Sequence, residues 1–182
     1  MISVQTYLYF NQIIDSTNSG SNTFVTINKK IDLSTTLGAS ASTFNQKDIN
    51  EIKGQHFVKD LDVFVSNSFR VEANTSGAFA FRTEMFLESV PDRFLDVSSS
   101  DWYWEEDMEV IPIVVSNDFL NLYNFGFAIS QGLPQLSKAT IKYLKFNLKL
   151  SGKGKTKIFK AGIVGFSSRI NSVLVPLDFI KW

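Results

Sequence analysis

Cysteine is absent from the 182 residues, and histidine occurs once, at His56. Without cysteine there are no disulfides, no thiolate metal sites and no thiol nucleophile. A single histidine rules out the cluster of imidazole ligands that a cupin-type metal centre requires. It also leaves Ser-His-Asp catalysis with one possible base. His56 follows Gly54-Gln55 at an expected strand start, where a plain edge histidine is the simpler reading. No apolar run approaches the roughly 18 residues of a membrane-crossing helix. Met1-Ile2-Ser3-Val4-Gln5 shows no basic region leading into an apolar core, so no signal peptide is visible. With disulfides also missing, the expectation is synthesis in the cytosol. Net charge is absent too, since 18 Lys and Arg offset 18 Asp and Glu. That balance argues against a dedicated nucleic-acid binder, and no basic arm precedes Lys29.

What is present is apolar, aromatic and unevenly charged. Hydrophobic residues make up 44% of the chain and 17 are Phe, a bias that favours strands. A chain of this length fits one domain, residues 1–182, burying about 70% of its unfolded surface. Nine acids lie between Glu84 and Glu109, whereas nine bases and no acid lie between Lys138 and Leu177. Solvated faces account for this pattern; acidic and basic surfaces meeting between neighbouring copies would use it.

The clearest element is a hairpin within Thr140–Phe166. Leu144, Phe146, Leu148 and Leu150 alternate with Lys145, Asn147 and Lys149, the period of a strand wet on one side. Ile158 to Phe166 is apolar on both faces, as in a strand covered twice or pressed against a neighbouring backbone. Ser151 to Thr156 joins the two runs. Alternation also predicts strands at Ile2–Phe10, Thr23–Leu33, Phe57–Val65 (extending to Phe69–Glu72), Ala78–Glu88, Met108–Val115, Phe119–Ile129 and Val173–Phe179. Pro112 suggests a sheet edge. One short helix is expected over Asn45–Lys53, capped by Asn45 with Asp48 three residues on, and ended by Gly54. The fold class is all-β: a two-sheet antiparallel jelly-roll sandwich of about eight strands with one short helix. An up-and-down barrel is the alternative.

No catalytic or cofactor signature emerges. Gly152-Lys153-Gly154-Lys155-Thr156 lacks the preceding glycine and following helix of a phosphate-binding loop. The acids Asp101, Glu105, Glu106, Asp107 and Glu109 match no EF-hand spacing. No enzyme activity, cofactor or metal is expected. The interface or ligand candidates are Trp102, Tyr103, Trp104, Glu105 and Glu106 in the longest irregular stretch, with Lys153, Lys155 and Lys157 at the hairpin. An exposed Trp can stack on a sugar or an apolar partner.

Eight or nine strands without cysteine, Phe-rich strand faces and Ser/Asn/Thr-rich loops resemble the single jelly-roll capsid and vertex proteins of icosahedral viruses. The resemblance implies a structural penton or minor capsid subunit in a virion made in the host cytoplasm. It would pack laterally, through sandwich edges and loops, into five-fold or three-fold homo-oligomeric rings beside other shell proteins. A carbohydrate-binding module using Trp102 or Trp104 is the second expectation, and a trimeric ligand of tumour-necrosis type the third.

Overall fold

The computed structural model describes residues 24–29, 43–75 and 81–182. They fall into two compact units, Met1–Gln55 and His56–Trp182. The expected strand at Ile2–Phe10 lies outside the described residues, and 24–29 carry no regular secondary structure.

In the first unit, helix α1 (Gln46–Lys53) forms as its sequence dictates. The Asn45 side chain accepts from the Asp48 N–H, and the Asp48 carboxylate accepts from the Asn45 N–H, both at 3.0 Å. This reciprocal pair satisfies two of the orphan donors at the helix start. Lys29 Nζ donates to Asp48 at 2.9 Å. That contact comes first among the effects holding the Asp48 carboxyl below its ordinary pKa.

The second unit is a single mixed sheet of eight strands, in the order β1-β4-β8-β5-β7-β6-β2-β3. The strands are β1 (Val65–Ser66), β2 (Arg70–Thr75), β3 (Phe81–Met85), β4 (Glu88–Ser89), β5 (Val110–Ser116), β6 (Lys145–Gly152), β7 (Lys155–Ser167) and β8 (Val173–Leu174). The expectation of a sheet-dominated chain stands. The two stacked antiparallel sheets do not appear among the described strands, because β5 runs parallel to β7 and β4 parallel to β8. Parallel pairing explains why the second arm of the hairpin is apolar on both faces. Val114 faces a cluster with Val90, Ile170 and Leu174, while Ile111, Ile113 and Ala161 face a larger one with Leu87, Leu148, Val175 and Phe179. Beyond β7 the sheet is wet on one side. Arg70, Glu72, Arg82, Glu84 and Lys149 share that face, with ion pairs Arg70–Glu84 and Arg82–Glu72 across β2 and β3.

The turn of the hairpin is tighter than expected: Gly152 pairs with Lys155, leaving only Lys153 and Gly154 between the strands. Both have positive φ, 50° and 74°, the backbone of a two-residue hairpin turn matched to strand twist. Pro112 sits in an interior strand, but β8 reaches only Val114 and Val115. At Pro112 the ladder therefore has a partner on the β7 side alone, which is the local condition proline needs.

Two expected strands shrink. Of Phe57–Val65 only Val65 joins β1. Asp60 and Asp62 instead fold onto their own backbone through the N–H groups of Leu61 and Val63. The same carboxylates grip Arg93 at 2.7 Å each, raising its pKa. After Val173-Leu174, Pro176 starts helix α4 (Leu177–Lys181), which buries Phe179 under the sheet. The third difference, Phe119–Ile129, is helical and concerns the site.

Candidate functional site

The residues singled out by sequence are mostly structural. The Trp102 indole donates to Asp92 Oδ1 at 3.0 Å and packs beside Phe94, Leu95 and Val97. Trp104 is 4% exposed. Its ring meets those of Phe179, Trp182 and Phe159 edge-on, at 5.1, 5.7 and 6.4 Å. The two tryptophans enter different clusters because the stretch carrying them is not a strand. Tyr103, Glu105 and Glu106 lie exposed, as do Lys153 and Lys155. Lys157 lays its ammonium 4.1 Å from the Trp182 ring centroid, a cation–π contact that closes the rim of the Trp104 cluster. Trp104 and Lys157 are thus brought to one place, and the other six are not. His56 is exposed beside Phe57. Among the described residues no three His, Asp or Glu gather closely enough to hold a metal ion.

The unusual surface lies where a strand was expected. After β5, Ser116 accepts from the Asp118 N–H at 3.0 Å and starts helix α2 (Asn117–Asn121). It widens into a π-helix over Leu122–Ala128. Such wide turns tend to occur at functional sites. Gly132 ends the excursion with φ 64°, and the Leu133 N–H reaches back to the Ala128 carbonyl at 2.8 Å. Helix α3 (Lys138–Ile141), capped by Ser137, then leads into β6.

Topology accounts for the location. The chain leaves the end of β5 and must start β6 antiparallel to it, with β7 later filling the slot between them. The return that a parallel β5–β7 pair requires is made by β6, so the excursion only bridges from β5 to β6 past the β7 position. The excursion therefore sits at the sheet end where β7 also finishes, and Lys138 lies 5.5 Å from the Phe166 ring.

In this helix a spacing of four faces inward. Leu120 and Ala128 are buried, and Asn124 between them is half-buried. Tyr123 and Phe127 form a flanking row with ring centroids 6.1 Å apart. On the outside, Leu122, Phe125 and Ile129 are 68%, 69% and 63% exposed. No Asp, Glu, Lys or Arg occurs from Phe119 to Ser137. The run is uncharged but carries Asn121, Asn124, Ser130 and Gln131 among its apolar residues, and the helix is anchored along one side only. Burying each exposed large side chain would be worth about 1.5–3 kcal/mol. Where the returning chain enters β6, Tyr143 is 86% exposed and lines a shallow depression with Lys138, Ala139 and Lys142. The arrangement suits binding of an apolar partner with a cationic margin. The sequence signals that could have revealed it are the long uncharged run and the Ser116 cap before Asn117-Asp118.

A family model described as PCD-like, probable transporter periplasmic core domain, matches residues 25–182. No curated protein and no solved structure matches the chain. The family match overturns the capsid expectation. The penton or minor-shell role, the virion setting and the other shell proteins as partners fall with it; the carbohydrate-binding alternative loses its platform because Trp104 is buried and the Trp102 indole is held by Asp92. The match points to the bacterial periplasm instead. Phe-rich alternating strands separated by polar loops are common to many sheet folds, so that pattern could not distinguish a shell subunit from a transporter domain. Among the described residues no helix is long and apolar enough to cross a membrane.

Proposed function

The chain belongs to the family of probable transporter periplasmic core domains, and on that premise we propose that it is a periplasmic interaction domain of a transport assembly, acting by binding rather than by turnover. The observation that carries the reading is the uncharged helical excursion, whose Leu122, Phe125 and Ile129 stand in water on a strongly buried base. Exposed contiguous apolar surface of this kind marks interaction sites. The base is well packed: β5 and the Ala161–Ser167 part of β7 contribute to clusters on both faces of the sheet.

The test is cellular. The protein is fractionated from its native host, and a photo-crosslinking residue is placed at Phe125 or, as a control, at Glu106. The expected result is a periplasmic protein that crosslinks to components of a transport assembly from position 125 and not from 106. Recovery in the cytosol, or equal crosslinking from both positions, would overturn the reading.

A further inference from the structure

Resting on the reading of the excursion as a binding surface, we infer that its occupant is the surface of an anionic phospholipid bilayer. The outer row Leu122, Phe125 and Ile129 would lie at the boundary between headgroups and acyl chains. Lys138, Lys142 and Tyr143 would lie at the level of the phosphates.

Three observations favour lipid over a protein groove. First, the exposed row Leu122, Phe125 and Ile129 is apolar, and no charged residue occurs from Phe119 to Ser137. A protein interface normally surrounds its apolar centre with a polar, hydrogen-bonding rim. A bilayer boundary instead accepts apolar side chains over the whole of an inserted face. Second, the charges begin where the apolar run ends. Lys138 and Lys142 are four apart and share the depression with Ala139 and Tyr143. An exposed aromatic with a polar tip beside lysines is the composition of a membrane–water interface. Third, the charge is complementary to anionic headgroups. The only acid in segment 117–143 is Asp118, in the first turn of α2.

The lysines follow closely on the helix because the returning chain is tied to it. Asn124 and Leu136 exchange two hydrogen bonds, and Lys138 follows two residues later. Two residues of chain span at most about 7 Å. Insertion would be shallow, about 5–10 Å, and reversible.

The experiment is flotation of the whole 182-residue chain with phosphatidylethanolamine vesicles, with and without phosphatidylglycerol. Binding is expected to the phosphatidylglycerol vesicles and to weaken in high salt. Lys138→Ala and Lys142→Ala should each weaken it about fivefold. The triple variant Leu122→Ser, Phe125→Ser, Ile129→Ser should bind at least tenfold more weakly. All five positions are exposed, so the circular dichroism and melting of the variants should match the parent. In a separate Tyr143→Trp variant, tryptophan emission should shift to the blue when vesicles are added. Absence of flotation, or equal flotation of the triple variant, would overturn the proposal. So would a lipid-free dimer that the triple variant dissociates, because a second copy would then be the occupant. Crosslinking from Phe125 to transport proteins without vesicle binding would remove the lipid and leave the interaction domain standing. Loss of both would remove both.

Discussion

Asn124 and Leu136 hold each other by a reciprocal pair of hydrogen bonds: the Asn124 amide donates to the Leu136 carbonyl at 2.8 Å, and the Leu136 N–H donates to Asn124 Oδ1 at 2.7 Å. Asparagine here imitates a neighbouring strand, offering one donor and one acceptor to a backbone with no ladder partner. With Tyr123 Oη donating to the Pro134 carbonyl, it fastens the returning loop along the helix and leaves the apolar outer row uncovered.

Asn124→Ala should therefore cost about 2 kcal/mol, near 1 for each bond lost. Asn124→Asp keeps the acceptor for Leu136 but sets a carboxylate oxygen against the Leu136 carbonyl, and should cost at least as much. Urea denaturation measures both, and limited proteolysis should find new cleavage between residues 131 and 137 in the alanine variant.

Trp104 is predicted to matter through its ring rather than its nitrogen. Its Nε1 is buried and has no hydrogen-bond partner among the described residues. Trp104→Ala should destabilise by about 3–5 kcal/mol, whereas Trp104→Phe should cost roughly 1–2 kcal/mol for the smaller volume. Trp102→Phe, which loses the bond to Asp92, should cost about 1 kcal/mol. Thermal melts of the three variants rank them.

At the hairpin tip, Lys153 is the one described non-glycine residue with positive φ. Lys153→Asn places there the side chain that best tolerates this backbone apart from glycine, and should stabilise by about 0.5 kcal/mol. Gly154→Ala, at φ 74°, should destabilise by about 1 kcal/mol. Opposite shifts in urea midpoint check the pair.

Asp96 joins the loop before β5 to the end of β7. It accepts from Ser167 Oγ at 2.6 Å and from the N–H and Oγ of Ser168 at 2.8 and 2.7 Å. Burial acts to raise its pKa, but those three donors outweigh burial and leave it below the ordinary 3.8. A carboxyl depressed in the folded state contributes stability that is whole above pH 3.8 and declines as pH falls through the folded value. Asp96→Asn should be less stable than the parent at neutral pH, with the gap closing in acid. Denaturation at a series of pH values reads this directly.

Further along the same strand, Gly165 shows how tertiary packing gives a sequence feature its meaning. A Cβ at Gly165 would run into Val97 Cγ1, so the glycine marks a close approach by the loop before β5. The sequence suggests some such contact but cannot name Val97, 68 positions away.

What the chain determined locally is what short-range chemistry can fix. Asn45, Asp48 and Gly54 bound a helix without outside help, and the Leu144–Leu150 alternation sets a strand with one wet face. Two-sided apolarity from Ile158 to Phe166 announced a covered strand, which holds from Ala161 onward but not at Ile158, 66% exposed. What only the tertiary structure decided is pairing and period where the local pattern fits two answers. Phe119, Tyr123, Phe125, Phe127 and Ile129 have the parity of a strand, yet Leu120, Asn124 and Ala128 have the spacing of a wide helix. The choice fell to helix because β7 takes the place beside β5, leaving the intervening chain no ladder to join. The end of the sheet then buries only the row Leu120, Asn124 and Ala128, and Leu122, Phe125 and Ile129 stay outside.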